Sequence, residues 1–356
     1  MKKEKILITG CGGLIGFESS RSFLEKGATV IGIDNNMRKY FFGEGGDTRG
    51  NTAYLTKLSK NFEHMDVDIR EREKILRLFK EKGPFDLIIH TAAQPSHDWA
   101  AKEPFTDFDI NAVGTLNLLE AFRLYSQNGV FIFTSTNKVY GDMPNMAELT
   151  ETAARFDYRK KQKLAGVSQK GISEEMSIDN STHSLMGASK TAADVLCQEY
   201  GKYFGLNVGV FRGGCLTGPQ HSAVKLHGFL AYIVNCAKKK LPYTIFGYKG
   251  KQVRDQIHSR DVVSAFYEFY KKPKKGAVYN LGGGKENSAS ILEIIEILEK
   301  EFGLKLDYRY SDKNRVGDHI CYYTDMSKFK RDYPDWKITM NIREIIKEMV
   351  EVRNNH

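Results

Sequence analysis

Short apolar runs alternate with longer amphipathic stretches along the first half of the chain. KILIT, TVIGID, FDLIIH and GVFIFTS are nearly continuous apolar runs of strand length, while IGFESSRSFLEKG and NAVGTLNLLEAFRLY carry apolar residues at helical spacing. That rhythm predicts βαβ units, hence an α/β fold with a doubly wound parallel sheet and helices on both faces. It continues through a helix at SKTAADVLCQEYGKYFG to a strand at NVGVFRG and then loosens, so a second lobe is expected from about residue 213. QIHSRDVVSAFYEFY and VYNLGG again read as sheet material. The lobes are therefore expected to interleave, with 1–212 and a returning segment at about 258–284 in the first domain, and 213–257 and 285–356 in a smaller C-terminal substrate domain. No internal repeat or low-complexity segment interrupts the pattern.

Composition agrees with two lobes. The 356 residues are 41% hydrophobic and 27% charged, too long a chain for one small core and far from a disordered composition. No apolar run reaches the roughly 18 residues of a membrane span, and the opening MKKEKILITG passes from lysines straight into a strand-like run, which leads us to expect a cytoplasmic protein with no membrane partner. The five cysteines, Cys11, Cys197, Cys215, Cys236 and Cys321, are scattered with no CxxC pair, so neither disulfides nor a bound metal is expected. Lysine and arginine total 53 against 44 acidic residues, a net charge of +9. The basic runs RKKQK at 159–163 and KKPKK at 271–275 lack interleaved aromatics, so they read as solvated surface and no nucleic-acid partner is expected.

Candidate chemistry begins directly after the first strand. TGCGGLIG sets Gly10, Gly13 and Gly16 in the spacing G-x-x-G-x-x-G at a strand-to-helix turn. Gly10 permits the tight turn, Gly13 lets backbone approach a pyrophosphate, and Gly16 allows close helix packing, with the helix dipole facing the anion. Asp34 follows at the end of the next strand, where a carboxylate binds the adenosine ribose hydroxyls and repels a 2′-phosphate, favouring NAD over NADP. Arg38, close by, argues the other way.

Over nearly its whole length the sequence resembles the extended short-chain dehydrogenases, whose nucleotide-binding half is a Rossmann domain. Asp68 and Ile69 of DIR look like that family's adenine-binding turn, HTAAQ like the strand beneath the nicotinamide ribose, and NAVGT, with Asn111, like its central-helix motif. The resemblance implies that Leu14, Ile15, Asn35, Thr91, Ala92, Ala93 and Thr134 also line the cofactor site. In that family a Ser or Thr, a Tyr and a Lys form the hydride-transfer site, with Tyr and Lys spaced YxxxK. TSTNKVYGD supplies Thr136 and SLMGASK supplies Lys190, but four residues before Lys190 stands Met186. A thioether cannot move a proton. Met186 therefore marks either a relocated proton-transfer group or a lost activity, while Lys190 can still hold the nicotinamide ribose. Lys138 can serve as the base if burial lowers its pKa. His97, Asp179, His183 and Cys215 are further candidates, and Asn137 cannot act as a dehydrating acid.

On the substrate side, FGYKGKQVRDQIHSRDV resembles the pyrophosphate-binding stretch of nucleotide-sugar epimerases, with Arg254 as anion ligand, and RVGD places Arg315 similarly. Guanidinium forks fit phosphate oxygens, so a nucleoside-diphosphate sugar is the expected ligand. Gln94, His97, Asn137, His183 and Cys215 are expected around it. STNKVYGD, NAVGTLNLLEA, GKQVRD and YNLGGG resemble the CDP-paratose (CDP-tyvelose) 2-epimerases. The resemblance implies an NAD-dependent isomerase, a homodimer, that oxidises the sugar at carbon 2 and returns hydride to the other face of the keto sugar. Met186 and Cys215, the latter where many relatives carry Asn, depart from that pattern. A nucleotide-sugar 4,6-dehydratase or dehydrogenase, and a catalytically silent binder of NAD or sugar nucleotide, remain as alternatives.

Overall fold

The computed structural model describes residues 3–219, 228–314 and 317–351. The chain divides into two compact units, one formed from the described parts of Met1–Val139, Leu185–Arg212 and Val262–Tyr279, the other from Tyr140–Ser184, Gly213–Asp261 and Asn280–His356.

The first unit is built on a sheet of seven strands, β1 (Lys5–Thr9), β2 (Thr29–Ile33), β3 (Phe62–Met65), β4 (Leu87–His90), β5 (Val130–Thr136), β6 (Asn207–Gly213) and β7 (Ala277–Leu281), in the order β7-β6-β5-β4-β1-β2-β3. Pairing is parallel, with Ile6 opposite both Val30 and Leu87, Val30 opposite Phe62, and Leu87 opposite Val130. Such a sheet is covered on both faces, which is why its strands read as continuous apolar runs rather than alternating ones. Ile6, Leu7 and Ile8 are all fully buried. Helices Arg72–Lys82, Gly114–Tyr125 and Ser184–Tyr203 contribute to one core with Leu7, Ile31, Leu118, Phe122, Phe131, Ala193 and Val210. Elsewhere Phe211 packs its ring on Phe266, Phe269 and Tyr279 of the returning segment, with centroids 4.9, 5.5 and 5.7 Å away. The strand order, reversing between β1 and β4, is that of a Rossmann domain, and it puts the β1 and β4 ends side by side at the switch point where such folds bind ligands.

The second unit joins short strands to a helical core. Cys215–Thr217 runs parallel to Val253–His258, which also pairs with Ser288–Ser290 and Cys321–Tyr322. Helices Phe229–Lys239, Ile291–Phe302 and Ile342–Glu351 meet through Ile233, Ile294, Leu298, Ile345 and Ile346. A capping box starts the middle helix, where Ser290 Oγ accepts from Glu293 N and the Glu293 carboxylate accepts from Ser290 N. Gly303 ends it in the left-handed conformation that suits glycine.

The division differs from the sequence reading over 140–184, expected in the nucleotide-binding domain. Tyr158 Oη donates to Cys321 O (2.6 Å), Arg155 Nη2 to Ser288 Oγ (2.8 Å), and His319 Nε2 lies 2.9 Å from Gly141 O. Those partners are 133 to 178 positions away, beyond the reach of any local pattern. The returning segment is also shorter than expected, covering Val262–Tyr279. Among the described residues no helix is long and apolar enough to cross a membrane, and no group of His, Cys, Asp or Glu could hold a metal ion.

Candidate active site

The glycine-rich turn is held by close backbone packing. Gly10 has φ +68°, and a Cβ there would stand 2.8 Å from Ala92 N. A Cβ on Gly16 would stand 2.1 Å from Gly10 O, so helix Leu14–Glu25 can begin this close to the turn only with glycine. Gly13 differs. Its Cβ would meet only Gly10 O, at 3.3 Å, leaving the outer side of the turn open for a phosphate to approach backbone. Asp34 Oδ2 accepts from Gly12 N (2.9 Å) and Oδ1 from Asn36 N (2.8 Å), which ties the carboxylate to the turn. Arg38 lies over the Phe42 ring, its guanidinium drawn down to about 10 by burial, with Asp34 opposing, so it is still charged near neutrality. Asp68 receives a forked contact from Arg70 and a bond from Asn35 Nδ2 (3.1 Å). Burial raises its pKa, but the Arg70 bonds outweigh that and leave it below the usual carboxylate range. These residues fit an adenine dinucleotide, with an open glycine for the pyrophosphate and a fixed carboxylate for ribose hydroxyls.

Deeper in the unit lies a buried polar network. Asn111, in a π-helical turn over Asp109–Val113, donates from Nδ2 to Gln94 O (3.0 Å), Asp107 Oδ1 (3.1 Å) and Ser189 Oγ (3.0 Å), and its Oδ1 accepts from Gln94 N (3.0 Å). Ser189 Oγ lies 2.6 Å from Asp107 Oδ2. The Gln94 side chain is expected on the substrate side, but it is 1% exposed and its amide is occupied by Ser96 O (2.8 Å), Asp107 Oδ1 (2.7 Å) and Ser96 N (2.5 Å). It positions the loop after β4. Asn111 is likewise enclosed. Thr91 Oγ1 donates to Thr9 O (2.7 Å) and so joins the ends of β1 and β4. His90 is neutral. Its Nδ1 accepts from Thr9 Oγ1 (2.7 Å) and its Nε2 donates to Thr115 Oγ1 (2.9 Å), and burial, then the nearby Lys190, hold its pKa well down.

Lys190 is buried on helix Ser184–Tyr203, donates from Nζ to Thr134 O (2.8 Å) and lies 4.2 Å from the centre of the Phe133 ring. Burial pulls its pKa from 10.5 down to about 8 against the opposing influence of Cys197, Asp194 and Asp107. Met186, one turn earlier, is buried too, and Thr134 Oγ1 is enclosed without a partner among the described residues. Thr136 Oγ1 accepts from Lys138 N (3.2 Å), which fixes the short turn Asn137–Tyr140 directly after β5. Asn137 is buried and Lys138 half-buried. His97 opens helix His97–Lys102, capped by Ser96 Oγ.

Two residues that sequence reasoning passed over hold this part together. Asp194, one turn beyond Lys190, accepts from Ser135 Oγ (2.6 Å), Gln198 Nε2 (2.8 Å), and Arg212 Nε (3.0 Å) and Nη2 (2.9 Å). A charge inside the otherwise apolar strand NVGVFRG was the signal available. A buried arginine requires a buried acid.

In the second unit Arg254 is buried, with Nη1 donating to Val253 O (2.6 Å) and Nη2 to Asp318 and His319 O. Burial lowers its pKa, but Asp318 and then Cys215 raise it further, so the guanidinium stays charged. Cys215 is a half-buried thiol in no disulfide, opposite Gln256 on the neighbouring strand. His183 Nδ1 lies 3.0 Å from Ser181 O, and Asp179 is exposed. Arg315 lies outside the described residues. His258 and Asp261 have structural partners, Glu348 for the first (2.7 Å) and Thr339 for the second (2.6 Å to its hydroxyl).

A Rossmann sheet with an open glycine turn, a carboxylate just past the end of β2 and a buried lysine beside β5 defines a nicotinamide-dinucleotide enzyme. The chain belongs to the NAD dependent epimerase/dehydratase family, whose model matches residues 6–282. It is 33% identical over 355 residues to the CDP-paratose 2-epimerase of Salmonella typhi, covering 98% of both chains. To the dTDP-glucose 4,6-dehydratase of Salmonella typhimurium it is 29% identical over 365 residues, covering 98% of this chain and 92% of the relative. Among solved structures, UDP-glucuronic acid 4-epimerase from Bacillus cereus in complex with UDP-glucuronic acid and NAD superposes with a TM-score of 0.76 at 24% identity, covering 98% of each chain.

Proposed function

We propose that the protein is a nucleotide-sugar epimerase, a CDP-sugar 2-epimerase working through a transient keto sugar. The 33% identity to a CDP-paratose 2-epimerase, sustained over 98% of both chains, carries this reading. Bound NAD supplies the acceptor and donor of hydride. On this reading Lys190, fixed by Thr134 O, orients the nicotinamide ribose, and the Thr136 hydroxyl holds the reacting sugar hydroxyl. Lys138, two residues further on a turn pinned by Thr136, takes the alcohol proton and later returns it. General acid-base help of this kind contributes about 10² to 10⁴-fold. Arg254, with Arg315, takes the diphosphate. Asn137, amide-bearing and buried, argues against dehydration, since it has no proton of suitable acidity to deliver.

Buried Met186 favours one second reading, a binder of NAD and sugar nucleotide without turnover. Mass spectrometry of the ligands released on denaturation identifies the bound nucleotides. Incubation with CDP-sugars then separates the two readings, because an epimerase forms product with no net change at the NADH absorbance. Lys138→Met is expected to abolish turnover while NAD stays bound, and full activity with an unshifted pH profile would remove Lys138 from the mechanism. The same reading takes the protein as a cytoplasmic homodimer, with Phe105, 88% exposed, as an apolar side chain that pairing would cover. Sedimentation of Phe105→Ser against the parent tests it.

A further inference from the structure

Strand Val253–His258 of the second unit puts Arg254, Gln256 and His258 on one face and Val253, Asp255 and Ile257 on the other. Its parallel neighbour places Cys215 opposite Gln256 and Thr217 opposite His258. Residues two apart on a strand stand about 7 Å from each other, so Gln256 adjoins both Arg254 and the Cys215–Thr217 edge. The influence of Cys215 on the Arg254 guanidinium agrees with that closeness.

Hydrogen bonding sets Gln256 apart on this face. His258 uses both ring nitrogens, Nε2 with Glu348 (2.7 Å) and Nδ1 with Arg260 N (3.1 Å). Arg254 is engaged with Val253 O, Asp318 and His319 O. Gln256 is 1% exposed and Thr217 2%, yet neither Nε2 nor Oε1 of Gln256, nor Oγ1 of Thr217, has a hydrogen-bond partner among the described residues. Burying a primary amide with both ends unpaired is costly, and folded proteins pair the large majority of buried side-chain polar atoms. An apolar residue of similar size would avoid the cost.

We propose that the Gln256 carboxamide and the Thr217 hydroxyl form a recognition pair for a sugar hydroxyl of the nucleotide sugar, beside the arginine assigned to its diphosphate. The proposal rests on the nucleotide-sugar reading of the site. The choice of a hydroxyl follows from donor and acceptor supply. An ionised diphosphate only accepts, so it would satisfy Nε2 and leave Oε1 unpaired. A sugar hydroxyl donates one bond and accepts others, and so answers both ends of the amide. The hydroxyl comes from either the ribose or the transferred sugar, and the two sources bind differently.

The test measures affinities of CDP, 2′,3′-dideoxy-CDP and CDP-glucose by calorimetry, for the parent, Gln256→Leu and Thr217→Val, with the UDP and dTDP series run alongside. Both variants are near-isosteric and remove unpaired buried atoms, so thermal stability should hold or rise, and NAD affinity should not change. If the transferred sugar is read, Gln256→Leu weakens CDP-glucose tenfold or more and leaves CDP alone. If the ribose is read, the parent prefers CDP over its dideoxy form and Gln256→Leu erases the preference. Thr217→Val should shift the same ligand by a smaller factor. Unchanged affinities with altered stability would mean that the amide serves water only, and equal losses for CDP and its dideoxy form without a further loss for CDP-glucose would point to base or phosphate. Either result overturns the proposal. Failure of the parent to bind any nucleotide of the three series, with NAD still bound, would overturn the nucleotide-sugar reading itself and this pair with it.

Discussion

The two units treat buried polar groups in opposite ways. Around Lys190 in the first unit, Asp107, Asn111, Gln94 and Ser189 form one enclosed bonded group and Asp194 with Arg212 another, with Thr134 Oγ1 the exception beside them. Along strand Val253–His258 in the second, both ends of Gln256, with Thr217 Oγ1 on the neighbouring strand, are enclosed without partners among the described residues. A group satisfied by its own chain is preorganised and works through rigidity. A group left unsatisfied has its free energy tied to whatever arrives. The first arrangement suits a cofactor used in the same pose at every turnover, and the second suits discrimination among ligands, since a buried donor rejects a molecule that cannot pair with it.

The sharpest way to break the comparison is Asp194→Ala, which leaves Arg212 buried and uncompensated and is expected to cost roughly 3 to 5 kcal/mol in denaturant unfolding. A loss below about 1 kcal/mol would mean that the first unit does not depend on its polar network. Lys190 gives a pH-dependent counterpart. Its folded pKa, about 8 against the ordinary 10.5, means that between those values the unfolded chain holds a proton that the folded protein has released. Stability therefore rises with pH across that window, and the penalty is complete below it. Lys190→Met should stabilise the protein by up to roughly 3 kcal/mol at pH 7, with the gain fading towards pH 10.5, and turnover should be lost. Identical gains at pH 7 and pH 10 would refute the desolvation account. The smallest effect is expected at the partly exposed Asp34, where Asp34→Ala should narrow the preference for NAD over NADP by about tenfold, near 1.4 kcal/mol. Equal affinity for both cofactors in the parent would remove the carboxylate from that role.

Much of the first unit was legible because its signals are local. Apolar runs gave away β1, β2, β4, β5 and β6, and Gly10 and Gly16 sit where their backbone contacts demand. Asp34 falls at the end of β2, one residue past the strand. Lys190 was found through its motif, but its depressed pKa was not, because desolvation depends on what folds over a residue.

The sequence alone therefore determined the alternation of strands and helices, the glycine turn, the carboxylate that follows β2 and the absence of a phenol at Met186. Each of these is written within a few consecutive residues as periodicity or spacing. Only the tertiary structure decided that Gln94 would be enclosed, that Asp318 would pair with Arg254, that Asp194 would meet Arg212, that 140–184 would join the second unit, and that Gln256 would be buried with no partner among the described residues. Those outcomes depend on partners brought together from distant positions, 178 apart for His319 and Gly141. Burial and pairing are properties of the packed chain, and a local pattern carries no record of which distant group will supply them.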